Sequence, residues 1–266
     1  MITAKLWEKE YPLYDENITN EDNKGTNKIV FYPANVSEKA PTVVIYPGGG
    51  YCIRSEDHEG DQIAKYYNLC GYNAAVVSYR VKPYRHPAQL LDAQRAIKIV
   101  RYNADEWNVD TNRVFTLGFS AGGHLCGMTA TLPDICTVVG DDVDKMSAKP
   151  NGAILCYAVC SSDEEIGHLG SFESLLGKEN MDKKDLFSND KNVDQNTCPC
   201  FLWHTAEDDT VNVKNTLLFT ARLAENGIPV ETHIFPKGCH GLGPALEVKG
   251  ACQWLELSAK WIKDNF

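Results

Sequence analysis

No stretch of this chain approaches the roughly 18 consecutive apolar residues that mark a membrane-crossing helix, so a spanning protein is not expected. Residues 1–10 mix charges with apolar side chains and lack the continuous apolar segment of a secretion signal. Positive charge is in short supply. Lys and Arg number 26 against 36 Asp and Glu, for a formal charge of −10. A surface of that sign repels phosphate backbones and anionic lipid, which removes nucleic acid and membranes as expected partners. Internal repeats, low-complexity tracts and linkers are also missing. Nothing therefore divides the 266 residues, and a chain of that length can bury one sizeable core.

Cysteine is plentiful, but its metal-binding and redox spacings are absent. Among the ten cysteines, the closest pairs are Cys198 with Cys200 and Cys156 with Cys160. Neither is CxxC, and no second pair stands at zinc-site spacing. Most lie in apolar runs such as Ile154, Leu155, Cys156 and Tyr157, where a thiol packs as a small hydrophobe. They read as reduced, buried and structural, which places the protein in the cytoplasm. No metal or organic cofactor is expected.

What is present is an alternation of short apolar runs with longer helical periods. Residues 29–32, 42–46, 73–79, 113–119, 151–159, 200–205 and 230–235 read as strands. The run at 42–46 is continuously apolar, as in a strand covered on both faces. Helices are expected over 56–70, 88–103, 121–131, 213–226 and 248–264. In the second of these, Leu90, Ala93, Ile97 and Val100 fall at the spacing of one helix face, with Pro87 just before it. Such alternation implies crossover connections and a mostly parallel sheet, hence a three-layer α/β sandwich in one domain. Two polar stretches, 133–149 and 161–195, fit no element and are candidates for a small cap or for plain surface excursions.

The most informative segment is Gly118, Phe119, Ser120, Ala121, Gly122, Gly123, His124. It matches G-x-S-x-G and sits between an expected strand and an expected helix, which is the context that gives the motif meaning. A serine at that tight turn projects its hydroxyl over the sheet. The positions two before and two after it must be small, as Gly118 and Gly122 are. The helix that follows aims its first N–H groups toward the serine and favours negative charge there.

Acyl transfer also needs donors aimed at a developing alkoxide. Tyr46, Pro47, Gly48, Gly49, Gly50 and Tyr51 directly follow the strand at 42–46. Glycines let backbone N–H groups approach a ligand unobstructed, and this run lacks the G-x-G-x-x-G spacing and the lysine of a phosphate loop. The expected donors are the N–H groups of Gly49, Gly50 and Ala121, with a one-position uncertainty between Gly48 and Tyr51.

In this fold the acid and then the base follow the serine in chain order. His240, between Gly238 and Gly241, ends the strand at 230–235 and fits as base. His204 and His233 lie inside expected strands, where satisfied core histidines are the rule. His58, His86 and His168 precede the acid loop, and His124 reads as a packing or hydrogen-bonding residue. For the acid, Asp208 is chosen from the loop Glu207, Asp208, Asp209. Asp209 can do the same work after a one-residue shift, and Asp163 is a more distant contender. Ser120 would then attack an ester carbonyl while His240 takes its proton and Asp208 orients the imidazole.

These residues carry a resemblance. Pro47 to Tyr51, Ser78-Tyr79-Arg80, Gly118 to His124, His204 to Val211 and Gly238 to Gly241 resemble the bacterial acetylxylan and feruloyl esterase-like α/β-hydrolases, over nearly the whole chain from about Ile29. The resemblance implies a serine esterase acting on short acyl groups, often acetate, on carbohydrate hydroxyls such as those of xylo-oligosaccharides. Pro47 stands where hormone-sensitive-lipase-like esterases carry histidine, and Thr205 replaces a glycine usual in the acid loop. An amide or peptide hydrolase on the same fold and a catalytically dead binding protein are the alternatives. Tyr51, Trp107 and Trp203 are candidate sugar-site aromatics or buried core. A homo-oligomer is left open.

Overall fold

The computed structural model describes residues 1–8, 11–19, 21–133, 135 and 140–266. Among them, eight strands form one sheet: β1 (Ile2–Lys5), β2 (Lys28–Tyr32), β3 (Ala40–Tyr46), β4 (Asn73–Ser78), β5 (Val109–Phe119), β6 (Gly152–Cys156), β7 (Cys200–Thr205) and β8 (Val230–Phe235). Their order across the sheet is β1-β2-β4-β3-β5-β6-β7-β8. From β4 to β8 every neighbouring pair is parallel, while β1 and β2 pair antiparallel at one edge. The crossovers carry α1 (Gln62–Leu69), α2 (Ala88–Tyr102), α3 (Ser120–Thr131), α4 (Leu169–Leu176) and α5 (Lys214–Glu225), and α6 (Trp254–Asn265) ends the chain.

The continuous apolar run of β3 has a direct cause. Strand side chains alternate in direction, so Val44 enters the core on one face while Val43 and Ile45 enter the core on the other. Leu90, Ala93, Ile97 and Val100 of α2 pack on the first face with Leu125 of α3 and Phe219 and Leu223 of α5. Ile63, Ala64 and Tyr67 of α1 and Trp254, Leu255 and Ile262 of α6 cover the second. This is the three-layer α/β sandwich that the alternation implies.

Some expected bounds move. The helix expected from 248 begins as a 3-10 turn at Ala251 and becomes α-helical at Trp254, because Gly250 at φ 92° interrupts it. The helix expected over 56–70 opens with a π-turn at Asp57–Asp61. The strand β1 was not anticipated. No helix among the described residues is long and apolar enough to cross a membrane. The cysteines are less uniformly buried than expected. Cys126, Cys156, Cys160, Cys198 and Cys200 are buried, but Cys52, Cys70 and Cys239 are exposed, and Cys136 lies outside the described residues.

Register aligns the carboxyl ends of the central strands. Tyr46 stands beside Gly118, Phe119 beside Cys156, Cys156 beside Trp203, and Thr205 beside Phe235. The loops after β3, β5, β7 and β8 therefore leave from one rim. The polar stretches separate in space. α3 runs away from that rim, so the described part of 133–149 lies beyond its far end, where Asp141 and Asp144 pair with Arg95 of α2. The stretch 161–195 leaves β6 on the Ser120 rim and folds into α4 and a run of 3-10 turns at Lys178–Phe187.

Candidate active site

Ser120 is the first residue of α3 and has φ 53°, a left-handed conformation that a side chain tolerates only at a cost of ~1–3 kcal/mol. The surroundings enforce it. A Cβ at Gly118 would stand 2.1 Å from Gly122 O, and one at Gly122 would stand 2.2 Å from Tyr46 O. The chain thus touches itself on both sides of the serine, and only glycine permits it. Gly123 is similarly confined by Ala158.

Across the rim, His240 Nε2 lies 2.8 Å from Ser120 Oγ, and His240 Nδ1 lies 2.7 Å from Asp208 Oδ2. An ionised carboxylate only accepts, so Nδ1 carries the proton and Nε2 is left to accept the serine O–H. Asp208 is buried and its other oxygen accepts the N–H groups of Thr210 and Val211 at 2.9 and 2.8 Å. Burial alone would raise its pKa. Hydrogen bonds from His204, His240 and the Val211 N–H outweigh that and hold the carboxyl well below its usual range. Asp209 and Asp163 are exposed; the former meets Thr210 Oγ1 and the latter accepts the Glu165 N–H.

The glycine run comes next to the serine: a Cβ on Gly48 would lie 3.1 Å from Ser120 Cβ. Gly48 donates its own N–H to Glu59 at 2.8 Å, which occupies that donor; Gly49, Gly50 and Tyr51 follow it in the run. Gly49 and Gly50 have positive φ, 131° and 63°. Ala121 supplies a first-turn N–H of α3, a position without an intrahelical acceptor.

The family model named BD-FAE matches residues 29–223, well over half of the chain. The chain belongs to the BD-FAE family. The mostly parallel eight-stranded sheet is that of an α/β-hydrolase, and the likeness is to carbohydrate acetylesterases. One curated relative, an acetylxylan esterase of Xylanibacter ruminicola, is 31% identical over 91% of this chain and 49% of its own length. Another, endo-1,4-beta-xylanase B of Butyrivibrio fibrisolvens, is 37% identical over 79% of this chain and 34% of its own. The chain thus spans half or less of these relatives. A solved structure, the acetyl ester-xyloside bifunctional hydrolase from Caldicellulosiruptor lactoaceticus, superposes with a TM-score of 0.90 at 39% identity, covering 99% of this chain and 96% of that one. Two of these three proteins, the acetylxylan esterase and the acetyl ester-xyloside hydrolase, are named for cleaving esters.

The other histidines take different places. His204 is buried as expected, yet it does more than fill the core. Its Nε2–H faces Asp208 Oδ2 at 3.1 Å and Val211 O at 2.9 Å, while Nδ1 accepts from Thr216 at 2.8 Å. His233 corrects the expectation of a core histidine: β8 is an edge strand, and the half-exposed ring pairs with Glu231. His124 accepts the Tyr51 hydroxyl at 2.8 Å and donates to Phe187 O at 2.7 Å, with burial depressing its pKa to about 4. It ties the glycine loop to the 161–195 stretch. His168 caps α4 by accepting the Ser171 N–H. His58 abuts Gly243, and His86 packs on Phe187. Tyr51, Trp107 and Trp203 are all buried core residues. In the Ser78-Tyr79-Arg80 motif, Tyr79 donates to Pro47 O at 2.5 Å and Arg80 pairs with Asp92 in full burial.

Proposed function

We propose that this BD-FAE member hydrolyses short-chain carboxylic esters, acetyl groups on carbohydrate hydroxyls being the class, through a Ser120–His240–Asp208 triad. The observation that carries the reading is the unbroken chain of hydrogen bonds from Ser120 Oγ through both nitrogens of His240 to Asp208. The acetylxylan esterase and acetyl ester-xyloside hydrolase among its relatives support the substrate class.

Ser120 Oγ attacks the ester carbonyl as His240 Nε2 takes its proton, and the carbonyl oxygen becomes the oxyanion received by the N–H groups of Gly49, Gly50 and Ala121. The imidazolium is stabilised by Asp208 and returns the proton to the departing alcohol, leaving an acyl-serine. Water then loses a proton to His240 as it attacks the acyl-serine. The proton returns to Ser120 Oγ as the carboxylic acid leaves.

The test measures acetate released from acetylated xylo-oligosaccharides, with p-nitrophenyl esters of increasing acyl length and an aminoacyl p-nitroanilide alongside. Acetate release, preference for the shortest acyl group and no anilide cleavage are expected. Ser120→Ala should lower kcat by on the order of 10⁶. An unchanged rate in that variant, or cleavage confined to the anilide, would overturn the reading.

A further inference from the structure

Glu59 belongs to neither the triad nor the set of oxyanion donors, yet it sits between the loops that carry them. It lies in the π-turn Asp57–Asp61 and is 3% exposed. Single π-turns concentrate at functional sites because the extra residue redirects one side chain. Here the redirected group is a buried carboxylate, which is costly unless its partners require it. Its hydrogen-bond partners among the described residues are neutral. Oε2 accepts the Gly48 N–H at 2.8 Å, and Oε1 accepts the Tyr157 hydroxyl at 2.6 Å.

Each partner leads to the reacting groups. On the first side, the peptide joining Pro47 to Gly48 is held at both ends, its oxygen by Tyr79 OH and its N–H by Glu59. The next N–H groups along the chain are those of Gly49 and Gly50. On the second side, the Tyr157 hydroxyl accepts the N–H of Gly243, in the loop that carries His240, at 2.8 Å. The Tyr157 ring stands edge-on to the His240 imidazole, with centroids 5.0 Å apart. Burial, reinforced by the Glu59 carboxylate, raises the Tyr157 phenol well above its ordinary range and keeps it a donor. The π-turn also touches both loops directly. A Cβ at Gly60 would come within 3.5 Å of Pro47 Cγ, and one at Gly243 within 2.8 Å of His58 O.

We propose that Glu59 is a positioning residue for ester hydrolysis, setting the oxyanion loop through Gly48 and the His240 loop through Tyr157 so that donors and base hold a common geometry about Ser120. The carboxylate contacts no substrate; it acts on where the groups that do so stand. A displacement of ~1 Å in such groups lowers turnover by about 10²-fold. This inference rests on the ester-hydrolase reading.

The experiment measures kcat and KM on p-nitrophenyl acetate and the affinity of a trifluoromethyl ketone for the full chain and for Ser120→Ala, Glu59→Gln, Tyr157→Phe and Tyr32→Phe. Tyr32 donates to Asp61 in the same π-turn but touches neither Gly48 nor His240, and it serves as control. Glu59→Gln and Tyr157→Phe should each lower kcat about 10–100-fold with KM within about threefold. The ketone, which binds as an oxyanion, should weaken in step with kcat/KM. The double variant should lose little beyond Glu59→Gln alone, because Tyr157 acts through that carboxylate. Tyr32→Phe should stay within about twofold of the parent. Full activity in folded Glu59→Gln and Tyr157→Phe would overturn the proposal, as would an equal loss in Tyr32→Phe. Failure of both site variants to fold would assign Glu59 to folding instead and overturn it too. If Ser120→Ala retains activity, the ester-hydrolase reading has failed; if only the Glu59 and Tyr157 variants are silent, that reading stands without this addition.

Discussion

The loops after β7 and β3 leave the sheet on the same rim and are stiffened in different ways. In the loop after β7 a side chain is immobilised. Asp208 receives His240, His204 and the N–H groups of Thr210 and Val211. In the loop after β3 the main chain is immobilised. Tyr79 and Glu59 hold the Pro47–Gly48 peptide, Gly48 O accepts from Ser55, Gly49 O accepts from Cys52, and Tyr51 O accepts from Lys82. The difference follows from what each loop presents. In the proposed mechanism a carboxylate must be kept ionised in a buried place, whereas a set of N–H groups must be kept aimed, and aiming leaves no trace in residue type beyond glycine. Substitutions that separate the two loops test this contrast.

The largest expected effect is on the acid loop. Asp208→Asn should lower kcat on p-nitrophenyl acetate by about 10⁴-fold, since an amide in that place no longer fixes the His240 tautomer. Asp209→Asn, on an exposed carboxylate one residue away, should stay within about twofold. Comparable losses in the two variants would mean that the loop does not hold one side chain specifically.

The oxyanion loop should answer to backbone changes instead. A Cβ at Gly49 would lie 2.4 Å from Ile53 O on a residue with φ 131°, so Gly49→Ala must move the chain that carries the donors. The expected loss in kcat is about 10²–10³-fold, that of one missing oxyanion donor. Among the described residues nothing lies within 4 Å of a Cβ at Gly50, whose φ of 63° is a left-handed conformation that alanine adopts at a cost of ~1–2 kcal/mol. Gly50→Ala should therefore lower stability and leave kcat within about tenfold. If Gly50→Ala proves the more damaging to kcat, the donor peptide lies elsewhere in the run.

The contrast also accounts for what could be read from residue order alone. The central strands were legible because both faces are covered and their apolar runs are unbroken. The serine elbow was legible because two glycines at fixed offsets are a steric requirement. The edge strand β1 was not, since Ile2–Lys5 is short and mostly exposed and so lacks an apolar signature. The choice between Asp208 and Asp209 turned on a one-residue turn geometry that composition does not encode. His204 was expected to be a satisfied core histidine, and it is one, but its partner is Asp208, the proposed acid. Glu59 left no signal at all. It sits in a charged segment, Asp57-His58-Glu59-Gly60-Asp61, that reads as a solvated helix start until the π-turn points it inward. Main-chain clamps of this kind exist only in the folded chain.

The last expected effect is on stability and not on turnover; it concerns pH and again separates the loops. Behind the oxyanion loop, His124 and His86 are kept neutral; burial lowers each from 6.5 to about 4. A folded pKa below the unfolded one contributes stability that is present above pH 6.5 and is lost as pH falls toward 4, because the unfolded chain takes up the proton first. Behind the acid loop, the depressed Asp208 contributes stability that is lost only below its ordinary value of 3.8. Between pH 7 and 4 the decline should therefore come from the histidine side, about 3 kcal/mol for His86 at this depth of shift. His86 is the cleaner probe, since its Nδ1 has no hydrogen-bond partner among the described residues and its ring packs on Phe187. His86→Phe should flatten urea-unfolding stability over that interval by roughly that amount, with little change at pH 7. A variant as steep as the parent would mean that the ring is protonated in the folded protein, and that the packing behind Tyr51 and Phe187 admits water.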